Sequence, residues 1–306
     1  MAMAFLKHAI RLARPEHWIK NIIVLFPVVF ARREDDPQAW SSAALASVAF
    51  CLASSASYIF NDIFDRDKDR LHPRKSGRPL AAGQISLLAA AAEAALLFVA
   101  AVAVAWTVNQ IVLGIIVAYL LMQLVYTLWL KQKMLVDVIC IAMGFVLRAA
   151  AGAVAIPVEV SPWLFVCTFT ICLFMGFCKR CNELATLAVR EEARQHRRTL
   201  GGYSPELLTH LITLSAGVAI VAFLLYASSN RTVNNLGTNY LIYTLPAVVY
   251  GISRFAMLSM KGVYSDPTAL ILRDRPFQYT MAIWFATVIA IIFWGHDVER
   301  WLRSLI

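Results

Sequence analysis

The chain is a succession of long apolar blocks separated by short polar breaks. Runs such as LLAAAAEAALLFVAAVAVAW hold almost no charge over the roughly 20 residues that a membrane-spanning helix needs. A transmembrane β-barrel would instead show short strands in which apolar and polar positions alternate. The pattern predicts an all-α, polytopic membrane protein. We expect about nine spans, near residues 17–31, 39–60, 85–106, 108–130, 135–156, 160–178, 206–228, 239–258 and 277–295. The first block is short enough to be re-entrant, which would leave eight.

Composition agrees with this pattern. Of the 306 residues, 60% are hydrophobic and 15% are charged, whereas soluble domains have roughly 45–50% apolar and about 25% charged residues. The net charge of +9 would suggest a nucleic-acid partner for a soluble protein, but basic loops here mark the cytoplasmic side of a membrane. With a cytoplasmic N-terminus, 22 Lys and Arg residues fall on that side and five on the other. We therefore expect no nucleic-acid partner, one integral-membrane domain over residues 1–306, and any chemistry on the cytoplasmic face.

The most informative stretch is NDIFDRDKDRLHPRKSGRPLAAG, residues 61–83, directly after the second predicted span. If the helix continues, Asp62, Asp65 and Asp69 share one face, since three and four residues separate them. Crowded carboxylates repel one another, and Mg²⁺, which prefers oxygen ligands, would relieve that repulsion. Six interleaved basic residues, among them Arg74 and Arg78, suit phosphate oxygens that the metal leaves free. The pattern favours a metal–diphosphate site, and the alternative is a solvated loop rich in salt bridges.

Arg148 lies inside the fifth predicted span. A cation deep in hydrocarbon costs at least about 2.5–3.5 kcal/mol, so it indicates a function by default. Asp137 lies eleven residues earlier, close to three full turns, and Gly144 falls between them on the same face with room for a ligand. We interpret this face as a polar cavity that opens to the cytoplasm, with Arg148 reaching an anionic ligand. The alternative is a structural ion pair with another helix.

Further polar side chains are predicted at the same membrane level. Lys179 and Glu183 are four residues apart at the end of the sixth span and can form a pair. Such groups either contact a ligand or anchor the protein to lipid headgroups. The candidates for ligand contact are Lys20, Asn61, Tyr126, Lys131, Lys179, Glu183 and Tyr203.

Taken together, these blocks resemble the UbiA superfamily of intramembrane prenyltransferases. The resemblance is carried by RPEHWIKN, NDIFDRDKDRLHPRKSGRPLAAG, LKQKMLVDVICIAMGFVLRAAAGAVA, KRCNEL and LRDRP, which run from residue 14 to 276. It implies a UbiA-type helix bundle with a cytoplasm-facing cavity. Ordinary aromatic prenyltransferases of the superfamily carry a second Asp-rich motif in the sixth-to-seventh loop, and this chain has none there. Its absence favours the branch that transfers phosphoribose to a polyprenyl phosphate.

The resemblance also implies a reaction. The donor would be 5-phosphoribosyl 1-diphosphate and the acceptor a polyprenyl (decaprenyl) phosphate, for synthesis of cell-envelope precursors in a bacterial inner membrane. Mg²⁺ on Asp62, Asp65 and Asp69 would neutralise the departing diphosphate, aided by Arg78 and Arg74. The remaining candidates divide into phosphate-binding cations, Lys20, Lys131, Arg148 and Lys179, and ribose or supporting contacts, Asn61, Tyr126, Glu183 and Tyr203. The oligomeric state stays open, a homo-oligomer included.

Two other functions remain open at this stage. An aromatic prenyltransferase would use the same metal site to ionise a polyprenyl diphosphate. A membrane transporter would use the acidic and basic residues to line an ion path. Charges along such a path should continue to the outer face, whereas here they stop on the cytoplasmic side apart from Arg148.

Overall fold

The computed structural model describes residues 2–71, 75–160, 162–188, 202–264 and 267–304, and every regular element in these ranges is a helix. Eight of the helices are long and apolar enough to span a membrane. This confirms the all-α polytopic prediction. Residues 17–31 are not among the eight, because they form a 3₁₀ helix, Pro15–Leu25, followed by the short helix α2, Phe26–Phe30.

The chain forms two compact units, Met1–Val160 and Ser161–Ile306. The single domain expected over 1–306 stays a prediction. The elements of the first unit, in chain order, are α1 (Ala2–Ala13), the 3₁₀ segment (Pro15–Leu25), α2, α3 (Pro37–Leu71), α4 (Leu87–Val108), α5 (Gln110–Leu128), a short 3₁₀ turn (Leu130–Gln132) and α6 (Val136–Ala155). Those of the second are α7 (Pro162–Ala188), α8 (Pro205–Ser228), α9 (Asn230–Leu236), a 3₁₀ turn (Tyr240–Thr244), α10 (Leu245–Met260), α11 (Pro267–Arg273) and α12 (Arg275–Arg303).

Polar caps set several helix boundaries. Asn109 ends α4 and begins α5, and its side chain accepts a hydrogen bond from the backbone N–H of Val112 at 2.8 Å. The same amide group donates to the carbonyl of Val154 in α6 at 3.0 Å. One residue therefore separates two predicted spans and also ties them to a third.

Small residues let the helices of the first unit approach closely. Ala46, Ala49 and Ala53 of α3 are buried in one cluster with Ala101 and Ala105 of α4. The backbones are in close contact at Gly152 of α6, where an added Cβ would lie 2.1 Å from the carbonyl oxygen of Val24. The 3₁₀ segment is thus held directly against α6.

The second unit is organised around aromatic contacts. The ring of Phe255 in α10 lies 5.6 Å from Phe174 of α7 and 5.8 Å from Phe277 of α12, measured between centroids. Such tilted and edge-on pairs add to the apolar burial that holds the three helices together.

Candidate active site

The acidic face predicted on the second span exists, because α3 stays helical well beyond its apolar part. At 1.5 Å per residue its 35 residues extend about 52 Å, against about 30 Å for the hydrocarbon core of a bilayer. The charged end from Asn61 onward therefore continues past the apolar stretch as an ordered helix. Asp62 and Asp69 are buried on it, and Asp65 is half-buried.

Two guanidinium groups hold Asp62. Arg14 Nη2 donates to both carboxylate oxygens, at 2.5 and 2.6 Å, and Arg78 Nη1 donates to Oδ1 at 3.0 Å. The same Arg78 nitrogen donates to Asp69 Oδ2 at 2.5 Å, and Lys75 Nζ lies 3.6 Å from Asp69 Oδ1. The carboxylates of Asp62 and Asp69 are therefore close enough to share a single cationic atom.

Asp65 has a different partner. Lys131 Nζ, in the short 3₁₀ turn after α5, lies 2.7 Å from both oxygens of Asp65 and 3.1 Å from Oδ1 of Asn61. Lys131 thus contacts two residues of the motif at once, as expected for a residue of the same site.

The three aspartates do not form one cluster of ligands. Within the described ranges, no three His, Cys, Asp or Glu side chains form a group that could hold a metal ion. In this structure Asp62 and Asp69 share Arg78, whereas Asp65 is held by Lys131, and a single ion bound by all three aspartates stays a prediction. Two carboxylates around one cationic atom still provide the hard oxygen donors that Mg²⁺ prefers.

Arg14 is a candidate site residue that the sequence interpretation did not name, because its guanidinium holds Asp62. It lies between α1 and the 3₁₀ segment in a left-handed conformation, φ 54° and ψ 59°, and its guanidinium also packs over the ring of Tyr58, 5.2 Å from the centroid. The available signal was its place at the head of the RPEHWIKN block. Its partner Asp62 is 48 residues away, so no local spacing indicates the contact.

The residues that follow Arg14 are fixed along α3. Ser55 donates to the carbonyl of Ala13 at 2.7 Å and accepts from Trp18 Nε1 at 3.0 Å. One turn earlier on α3, Cys51 Sγ accepts from Asn21 Nδ2 at 3.2 Å. These contacts place the half-buried Lys20 in a segment that is held at both ends.

Arg148 is buried in the first unit and is bound by neutral groups. Its guanidinium donates to Asn21 Oδ1 at 2.6 Å, to the carbonyl of Gly144 at 2.8 Å and to the hydroxyl of Tyr119 at 3.0 Å. The space beside Gly144 is filled by this guanidinium, because an added Cβ would lie 3.3 Å from Arg148 Nη1. The expected room for a ligand at Gly144 is therefore wrong, and the contact with Asn21 joins α6 to the 3₁₀ segment.

The remaining candidates lie elsewhere in the chain. Tyr126 is half-buried near the end of α5, and Arg74 lies outside the described residues. The second unit holds Lys179, which is exposed, and Tyr203, which is buried just before α8. Glu183, expected to pair with Lys179, accepts a hydrogen bond from Arg180, whose side chain is almost fully buried.

Asp274, in the LRDRP block, links two helices of the second unit. Arg254 of α10 donates to it twice, at 2.6 and 2.9 Å, and Tyr264 donates at 3.3 Å. Asp274 also accepts from the backbone N–H of Phe277 at 2.9 Å, which caps the start of α12. The hydrogen bonds from Arg254 lower the pKa of Asp274 below its usual value, although burial acts in the opposite direction.

Comparison with known proteins identifies the family of this chain. The sequence profile of the UbiA prenyltransferase family matches residues 22–271. The chain belongs to this family. This protein is therefore a transferase of the UbiA superfamily.

Two UbiA relatives are similar over almost their whole length. Decaprenyl-phosphate phosphoribosyltransferase of Mycolicibacterium smegmatis is 32% identical over 296 residues, which cover 94% of this chain and 92% of the relative. The protein of the same name from Mycobacterium tuberculosis is 33% identical over 290 residues, with 94% of each chain covered.

Solved UbiA structures share the fold. A UbiA homologue from Archaeoglobus fulgidus bound to DMAPP and Mg²⁺ superposes with a TM-score of 0.69 at 19% identity, and covers 95% of this chain and 99% of its own. The structure of the homologue bound to GPP and Mg²⁺ gives a TM-score of 0.68. The fold of this chain is therefore that of a multi-pass UbiA membrane protein.

Proposed function

We propose that this protein transfers 5-phosphoribose from 5-phosphoribosyl 1-diphosphate to a polyprenyl phosphate. The bond between ribose C1 and the diphosphate oxygen breaks, and diphosphate leaves with the electron pair. A new bond forms between C1 and an oxygen of the lipid phosphate. The acceptor oxygen is already anionic, so no side chain has to remove a proton from it.

The observation that carries this proposal is the similarity to relatives named decaprenyl-phosphate phosphoribosyltransferase, at 32–33% identity over 94% of this chain. The basic side chains around the site also support this proposal. Arg14, Arg78 and Lys131 surround the acidic face, and their donors suit a substrate that carries several phosphate groups.

The same acidic face fits a divalent metal. Asp62 and Asp69 already share one nitrogen of Arg78 as a common partner, and related UbiA structures contain Mg²⁺. We infer that these two carboxylates hold Mg²⁺, which when bound would neutralise charge on a departing diphosphate.

Arg14, Arg78 and Lys131 then contribute to the site in different ways. In this structure Arg14 and Arg78 neutralise Asp62. If a metal–diphosphate were bound at Asp62, their guanidinium groups would be available to phosphate oxygens. Lys131 holds Asp65 and Asn61 in place beside them. The other candidates for substrate contact remain Lys20, Asn61, Arg74, Tyr126, Arg148, Lys179, Glu183 and Tyr203.

The proposal includes a place in the cell. The predicted excess of basic residues on one side orients the charged end of α3 toward the cytoplasm. We therefore propose a multi-pass protein of a bacterial cell membrane, with its site open to the cytoplasm and its product used for cell-envelope precursors.

The test is a transfer assay with purified protein, Mg²⁺, polyprenyl phosphate and ribose-labelled 5-phosphoribosyl 1-diphosphate. We expect label in the extracted lipid and release of one diphosphate for each labelled lipid. A parallel reaction offers a prenyl diphosphate and an aromatic acceptor. Prenylation of that acceptor without labelled lipid would replace this proposal with the aromatic prenyltransferase.

A second arm tests the residues. Asp65→Asn and Lys131→Met should each lower turnover at least tenfold, because each breaks the pair between α3 and the turn after α5. Asp67→Asn and Lys133→Met are matched controls, since both side chains are exposed, and they should keep full turnover. Full Mg-dependent turnover by Asp65→Asn would remove that residue from the site.

A further inference from the structure

The amphipathic helix α1 presents three different faces. Ala9 and Leu12, three residues apart, pack into a cluster with Ile59, Leu80 and Ile85. Leu6 and Ile10, four residues apart, are 58% and 53% exposed. Lys7 and Arg11, also four residues apart, are exposed on the next face, and no acidic residue occurs in the helix.

The depth of α1 follows from its neighbours. It packs against Ile59 and Ile63, at the place where α3 changes from an apolar to a charged helix. It also packs beside Ala89 and Ala90, in the first turn of the span α4. Both contacts put α1 where two spans leave the hydrocarbon, at the boundary between acyl chains and headgroups.

The exposed apolar face of α1 lies beside a surface that faces lipid. In the apolar stretch of α4 only 11% of the residues are buried within the protein, and Leu88 at its start is 82% exposed. The helix α4 is long and apolar enough to cross a membrane, so we expect these exposed side chains to contact acyl chains. The apolar face of α1, packed beside the start of α4, should then lie at the same acyl chains near the surface.

We propose that α1 is an interfacial helix that binds the anionic phospholipid headgroups of the leaflet on that side. Leu6 and Ile10 insert among the upper acyl chains, while Lys7 and Arg11 contact the headgroup phosphates. The helix ends one residue before Arg14, whose guanidinium holds Asp62. Binding of the leaflet therefore fixes the element that carries Arg14 to the acidic face.

Photo-crosslinking tests the apolar face in the full chain, reconstituted in nanodiscs without polyprenyl phosphate. Benzoylphenylalanine replaces Leu6 or Ile10, and Phe285 of the span α12, which is 42% exposed, is the positive control. We expect acyl-chain adducts at all three positions. Adducts to a second copy of the chain, or no lipid adduct at Leu6 and Ile10, would overturn the proposal.

Hydrogen exchange tests the basic face. The protection of α1 amides should be greater in nanodiscs that contain phosphatidylglycerol than in phosphatidylcholine alone. Each basic side chain near an anionic surface contributes about fivefold, so Lys7→Gln with Arg11→Gln should remove up to about thirtyfold of that protection. Lys261→Gln with Arg273→Gln makes the same charge change at exposed sites of the second unit and should leave α1 unchanged. Equal protection in both lipids would refute anionic binding.

Discussion

Replacing Asp62 by Asn tests the centre of the proposed site. The change keeps the shape of the side chain and removes its charge. In the native protein the carboxylate is 3% exposed and accepts two hydrogen bonds from Arg14 and one from Arg78. The amide can accept only at its oxygen, so its NH₂ group would face a guanidinium donor.

The size of the effect follows from burial. Removal of one member of a fully buried ion pair costs about 3–5 kcal/mol. Arg14 and Arg78 are 15% and 26% exposed, and water therefore screens part of the loss. We expect the free energy of unfolding to fall by roughly 2–3 kcal/mol, which is a factor of roughly 30 to 160 in the unfolding equilibrium constant. Turnover should fall further, by at least a hundredfold, because Asp62 is also a proposed metal ligand.

The assay compares Asp62→Asn with Asp67→Asn, a matched control on the same helix whose side chain is 91% exposed. Thermal unfolding in detergent measures stability, and the labelled-lipid assay measures turnover. Both should change in Asp62→Asn and neither in the control. Full turnover and an unchanged melting temperature in Asp62→Asn would refute the assignment of this residue.

Three further outcomes are expected. Gly152→Ala forces a Cβ against the backbone of Val24 and should destabilise the protein by about 1–3 kcal/mol, measured by thermal unfolding; an unchanged melting temperature would contradict the close approach. Arg148→Met leaves three buried acceptors without their donor and should lower the melting temperature, whereas a change in KM alone would indicate a ligand contact instead. Hydrogen bonds from Arg254 lower the pKa of Asp274 in the folded protein, so the ionised carboxylate stabilises the fold. This contribution to the free energy of unfolding should be complete above about pH 4 and lost as pH falls through the lowered pKa, as thermal unfolding at a series of pH values would measure. Asp274→Asn should abolish this acid dependence, and a variant that keeps it would show that other groups are responsible.

Several features could be predicted without coordinates because they depend on near neighbours in the chain. Apolar blocks of about 20 residues predict spans, and eight of the nine predicted spans are long helices. The common face of Asp62 and Asp69 follows from helical periodicity alone. The exception is residues 17–31, where hydrophobicity suggested a span and the chain forms a 3₁₀ helix and a short α-helix instead.

The partners of the charged residues could not be predicted in the same way. Arg14 meets Asp62 across 48 residues, and Lys131 meets Asp65 across 66. Any exposed Lys or Arg near the membrane boundary is an equally good partner by charge, and only packing decides which one is within 3 Å.

The sequence by itself determined that this is a helical membrane protein with an acidic face at the end of one span, since hydrophobic length and helical period are local properties. Tertiary structure alone decided which cations neutralise that face, and that Arg148 binds Asn21, Tyr119 and a backbone carbonyl. A buried cation must find acceptors wherever the fold brings them, and Asn21 lies 127 residues from Arg148 in the chain.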